Sequence, residues 1–125
     1  EPAKFYCSIF KNAKITTDNQ MVVIFELNGR KFMGLNGGPQ FKFNEAVSFV
    51  VDCETQEEID HYWSKLTADG GSEGNCGWLK DRYGLSWQIV PTVLPKLLSN
   101  PDKANRVLNA YMKMKKFDIK ALENA

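Results

Sequence analysis

Histidine is almost absent from this chain of 125 residues: His61 is the only one. Zinc sites rich in histidine and iron sites built on two histidines are therefore excluded, and a triad would have to be built on His61. That residue falls within Glu57-Glu58-Ile59-Asp60-His61-Tyr62-Trp63, on the polar face of a predicted helix, which makes it a solvent-facing histidine. Cysteine is scarce too. Cys7, Cys53 and Cys76 are odd in number and lack CxxC spacing, so they read as buried or idle thiols of a reducing, cytoplasmic protein. No sign of charge dominates: the formal net charge is +1, which gives no bulk pull towards nucleic acid or an anionic membrane. No apolar run approaches the roughly 18 residues of a membrane span, and Glu1 to Lys4 do not read as a signal peptide. What is present is ordinary for one globular domain: 43% hydrophobic and 25% charged residues in 125.

The patterning predicts an α+β chain. Pro2 followed by Phe5, Tyr6, Ile9 and Phe10 at helical spacing predicts a helix over 3–11 with an aromatic face. Met21 to Leu27 reads as a strand, Asn28-Gly29 as a hairpin turn, and Arg30 to Leu35 as the returning strand. Ala46 to Asp52 is a further strand, apolar except for Ser48 and its last residue. Thr55 caps a second helix with Glu58 completing a capping box, Ile59, Tyr62, Trp63 and Leu66 forming the buried stripe, and Gly70-Gly71 ending it. Cys76–Asp81 and Leu85–Val90 form a second hairpin around Gly84. Beyond Pro91 the chain turns helical: Asn100 is the expected N-cap before Pro101, with Ala104, Val107, Leu108, Tyr111 and Met112 as the apolar stripe. Lys113, Lys115 and Lys116 would close that helix where its dipole favours cations.

A repeat emerges when the helices are overlaid. Tyr6, Ser8 and Phe10 align with Tyr62, Ser64 and Leu66, and the turn at Gly29 aligns with that at Gly84. Helix, loop and hairpin thus occur twice in the same order. The second copy has a strand before its helix; its counterpart in the first copy would fall before residue 1. The expected organisation is one domain, with a first repeat over 1–44, a second over 45–91 and a helical extension over 92–125.

Paired βαβββ units resemble the vicinal-oxygen-chelate superfamily of glyoxalases, dioxygenases and resistance proteins. The wording of Gly37-Gly38-Pro39-Gln40-Phe41-Lys42-Phe43-Asn44, of Ser48-Phe49-Val50-Val51 and above all of Cys76 to Pro91 is similar to the PhnB-like family, often labelled a 3-demethylubiquinone-9 3-methyltransferase domain. The resemblance covers essentially the whole chain. It implies a curved mixed sheet around a cavity, helices on its outer face, C-terminal helices, and a two-fold homodimer. The family's first strand is missing here.

Methyl donors of the adenosylmethionine type usually sit at a glycine-rich turn between a strand and a helix. Gly37-Gly38 lies between two strands and reads as a chain reversal. Enzymes of the superfamily hold a divalent ion with His and Glu from strands. The matching places here carry Ser48, Gln88 and a residue near Met33, which are no substitute for imidazole and carboxylate. Glu26 is the one strand carboxylate, and Lys31 lies opposite it as a cross-strand charge pair. No cofactor is expected.

A sheet-lined bowl for a small molecule is the reading that remains. Strand parity places Ser86 and Gln88 on one face of the last strand, Ser48 is the polar residue of an apolar strand, and the Asn28-Gly29 turn pairs Ile24 with Met33. The candidate cavity residues are therefore Ser48, Gln88, Ser86, Met33, Ile24 and Glu26. Ser48 and Gln88 could instead satisfy each other, and Trp63, Trp78 and Trp87 read as core or interface. Two alternatives stand beside a metal-free binding protein: a metal-dependent lyase, transferase or dioxygenase with a ligand from an upstream strand or partner chain, and a non-catalytic dimeric interaction module.

Overall fold

The computed structural model describes every residue from Glu1 to Ala125, and the chain forms two compact units, Glu1–Lys42 and Phe43–Ala125. The first holds α1 (Pro2–Ile9), β1 (Lys14–Asp18), β2 (Val22–Leu27) and β3 (Arg30–Leu35), with the strands antiparallel in the order β1-β2-β3. Proline opens α1, and Ala3, Tyr6 and Ile9 form its buried face. Tyr6 stacks on Phe25 with ring centroids 6.4 Å apart, and Phe25 stacks on Phe32 at 5.6 Å. Asn28 (φ 51) and Gly29 (φ 78) both take the left-handed conformation that a two-residue hairpin turn requires. That turn fixes the register: Leu27 opposite Arg30, Glu26 opposite Lys31, Ile24 opposite Met33. Glu26 faces Lys31 in register, but the cation at its carboxylate is Lys14 of β1, at 3.9 Å. The sequence reading missed β1. Its side chains are exposed apart from half-buried Ile15, so it shows no alternation to read, and the ladder with β2 holds it instead.

The second unit runs β4 (Ser48–Cys53), α2 (Gln56–Thr67), β5 (Ser72–Glu73), β6 (Trp78–Lys80) and β7 (Ser86–Pro91), followed by α3 (Leu94–Ser99), α4 (Ala104–Tyr111) and α5 (Ile119–Glu123). Its sheet has the order β4-β7-β6-β5, with β4 parallel to β7 and the other pairs antiparallel. Thr55 caps α2: its Oγ1 accepts from the N–H of Glu58 at 3.2 Å, while Glu58 Oε1 accepts from the N–H of Glu54 at 3.3 Å. The helix stops at Thr67, before Gly70-Gly71. Ile59 and Leu66 of α2 are sealed in the core, as are Cys53, Leu79 and Ile89 of the sheet. Burying a large apolar side chain of this kind stabilises by about 1.5–3 kcal/mol. The β6–β7 turn is organised by buried Asp81, whose carboxylate accepts from the N–H of Tyr83 (2.8 Å), the N–H of Leu85 (3.2 Å) and the Trp87 indole (2.9 Å).

The C-terminal region departs from expectation. Asn100 does not cap a helix at Pro101. Its Oδ1 accepts from the N–H of Asp102 at 3.0 Å, closing a local turn, and α4 begins only at Ala104. With eight residues, α4 seals only Val107 in the core; Leu108 and Met112 are exposed. Lys113, Lys115 and Lys116 lie past the end of α4. There the backbone turns into a strap, Met114 and Lys115 accepting through their carbonyls from the N–H groups of Cys76 (2.7 Å) and Gly77 (2.8 Å). Lys116 pairs with Asp60 at 2.8 Å. Gln56 then fastens the strap: its Nε2 donates to the carbonyl of Phe117 (2.9 Å) and its Oε1 accepts from the N–H of Ile119 (2.9 Å).

Candidate functional site

Side chains of paired residues share a sheet face, so the register sorts the second unit. Leu79 opposite Trp87, together with Ile89 and Cys53, faces the buried stripe of α2. The other face carries Ser48 opposite Ser86, Lys80 opposite Ser86, and both Val50 and Trp78 opposite Gln88. This face holds three of the expected site residues. Gln88 Nε2 donates to Ser48 Oγ at 2.9 Å, so these two are already partnered, and both are half-buried. Ser86 is 1% exposed and its Oγ has no hydrogen-bond partner. An unpartnered buried hydroxyl loses its hydration without compensation.

A recess of about 240 Å³ opens beside that hydroxyl, walled by Ser86, Lys80, Trp78, Ser72 and Glu45, with Gly74 in the backbone of its rim. Lys80 forms an ion pair with Glu45, whose carboxyl is held below the usual range by the Lys80 ammonium and by its own backbone. The sequence reading did not single out Lys80 and Glu45, which line this recess. Parity through the turn at Gly84 could have placed Lys80 opposite Ser86, but Glu45 lies in an irregular segment where no periodicity aims a side chain.

The remaining expected residues lie in the first unit. Ile24, Glu26, Lys31 and Met33 share the sheet face turned away from α1; Ile24 and Glu26 are half-buried and Met33 is exposed. Two tryptophans belong to the core. Trp63 donates its indole N–H to Glu73 Oε1 at 2.6 Å and Trp87 donates to Asp81, whereas Trp78 is half-buried on the recess.

Burial, with the Glu58 and Asp52 carboxylates nearby, pushes the Cys53 thiol up to about 12. Burial also raises Cys7 and Tyr62. His61 is exposed, its ring 5.0 Å from that of Tyr62. No three His, Cys, Asp or Glu side chains converge as metal ligands. The superfamily's metal would draw on Ser48 and Gln88, a neutral hydroxyl and amide bonded to each other. That donor set does not fit a tightly held first-row ion.

A βαβββ sheet with its first and last strands parallel, and an αβββ counterpart in the first unit, define a glyoxalase-like α+β protein. The chain belongs to the 3-demethylubiquinone-9 3-methyltransferase family, whose model matches residues 1–90. Among solved structures it is similar to a putative 3-demethylubiquinone-9 3-methyltransferase, PhnB protein, from Bacillus cereus. That match has 31% identity and a TM-score of 0.65 over 73% of this chain and 88% of the other. A second match, protein PA1353 from Pseudomonas aeruginosa, has 15% identity and a TM-score of 0.47 over 61% of this chain and 69% of that one. No curated protein matches the chain.

Proposed function

We propose that this chain binds a small molecule on the strand face bearing Ser48, Ser86 and Gln88, and that it does so without a metal ion. The carrying observation is Ser86 Oγ, buried and unpartnered beside an open recess. A buried hydroxyl in the wall of a recess can gain a partner when a ligand enters, and a few placed polar groups among apolar walls are the usual make-up of such sites. The Ser48–Gln88 hydrogen bond holds the amide in place for a ligand's donor or acceptor.

Methyl transfer, which the family description names, has little support in the topology if the donor is of the adenosylmethionine type. The turn from β4 into α2 is Glu54-Thr55, a carboxylate and a capping hydroxyl where a nucleotide-binding turn places glycines. No helix is long and apolar enough to cross a membrane, and the three cysteines are free, which favours a reducing compartment such as the cytoplasm. Exposed Met33 and Leu35 on the outermost strand of the first sheet support a two-fold homodimer, which light scattering at micromolar concentration checks.

A fragment screen by protein-observed NMR tests the binding reading. Hits should shift the Gln88 side-chain amide and the Trp78 indole N–H while leaving that of Trp63 in place. Hits that move only residues outside this face would refute it.

A further inference from the structure

We infer that the recess in the second unit takes a small planar carboxylate, paired with Lys80 in place of Glu45, hydrogen-bonded to Ser86 and packed on Trp78. The assignment rests on this face being a ligand site and specifies the chemistry that it recognises.

Three observations carry it. First, the recess already holds a carboxylate. Glu45 reaches Lys80 from an irregular segment outside the sheet, and its side chain is 62% exposed. Exposed ion pairs contribute little to stability, so a ligand can take over the ammonium at small cost. Second, Lys80 and Ser86 are directly opposite in the β6–β7 register, which brings the lysine stem and the buried hydroxyl side by side on one face. Ser86 thus lies beside the lysine in the wall of the recess, and its Oγ is the one buried side-chain oxygen or nitrogen left without a partner. Third, the remaining wall is aromatic. Trp78 is half-buried on the same face, and a planar body can lie against its indole. At about 240 Å³ the space is below the range for drug-sized ligands and suits a compact acid.

The ligand does not depend on a reaction here. It exchanges one counter-ion of Lys80 for another and gives Ser86 the partner it lacks. Glu45 is then a gate that competes with the ligand for the same cation.

Titration of the full chain with benzoate and with its neutral isostere benzamide, followed by calorimetry and by the Trp78 indole resonance, tests this. Benzoate should bind and benzamide should bind more weakly, since the charge-assisted contact is lost. Lys80→Met should weaken benzoate by roughly tenfold or more. Glu45→Gln should tighten it several-fold, because the competing carboxylate is gone. Equal binding of the two probes, unaffected by Glu45→Gln, would overturn the carboxylate assignment and leave the ligand face standing. Failure of benzoate to move the Trp78 resonance, in the native chain and in Glu45→Gln alike, would also overturn it, while the fragment screen above decides the face itself.

Discussion

Gln88 Nε2 donates to Ser48 Oγ at 2.9 Å across the parallel β4–β7 pair, tying together the first and last strands of the second unit on its open face. The bond is diagonal in the register, because Ser48 is opposite Ser86 and Gln88 is opposite Val50. It positions the one side-chain amide of that face and leaves Ser86, directly beside Ser48, without a partner.

Gln88→Leu should lower stability by about 1 kcal/mol, since Ser48 is half-buried and water can replace part of the lost bond. The same change should weaken ligand binding on this face, because Trp78 of the recess lies opposite position 88. Combined with Ser48→Ala it should cost less than the two single changes together, and denaturant melts of the four proteins measure that coupling.

Ser86→Ala should have the opposite sign. Removing a buried hydroxyl without a partner should raise stability by about 1 kcal/mol, seen as a higher denaturant midpoint at unchanged slope. Ligand affinity should fall in the same variant. A residue that costs stability and serves binding behaves in this way.

The C-terminal strap predicts two destabilised variants. Gln56→Ala removes both hydrogen bonds that hold Phe117 and Ile119, a loss of about 2 kcal/mol. Gly77 sits at φ +82, and an added Cβ would lie 2.4 Å from Phe117 Cε2 and 2.9 Å from the carbonyl oxygen of Ile89. Gly77→Ala should therefore cost about 1–3 kcal/mol in backbone strain alone and displace the strap. Hydrogen exchange at Ile119 reads both.

Cys53 should be inert in the native protein. Its thiol is raised by burial from about 9.0 to about 12, so its contribution to stability is full below pH 9.0 and is lost as the pH rises towards 12. Iodoacetamide at pH 8 should modify Cys53 only on unfolding, with Cys7 and Cys76, which are partly exposed, reacting first. Peptide mapping after timed quenching checks the order.

Local chemistry made much of the fold legible in the residues themselves. Asn28-Gly29 dictates its hairpin and the Ile24–Met33 pairing, and Thr55 with Glu58 marks the start of α2, because each signal acts within a few residues. Parity placed Ser86 and Gln88 on one face of the last strand, and Ser48 stood out as the polar residue of an apolar strand; the β4–β7 register is what brings it to that face. What stayed hidden depends on partners distant in the chain. β1 has polar residues on both faces and exists through β2, α5 is fixed by Asp118 and by Gln56 some sixty residues earlier, and Asn100 serves a turn rather than a helix. The Lys80–Glu45 pair belongs to the same class: the strand half follows from alternation, but nothing periodic points Glu45 at the recess.

A crystal structure of the full chain grown with benzoate tests most directly whether the recess takes a carboxylate. It should show benzoate against Trp78, its carboxylate within hydrogen-bond distance of Lys80 Nζ and Ser86 Oγ, and Glu45 turned away. Water alone in the recess, with Glu45 still on Lys80 and benzoate absent or bound elsewhere, would contradict the account.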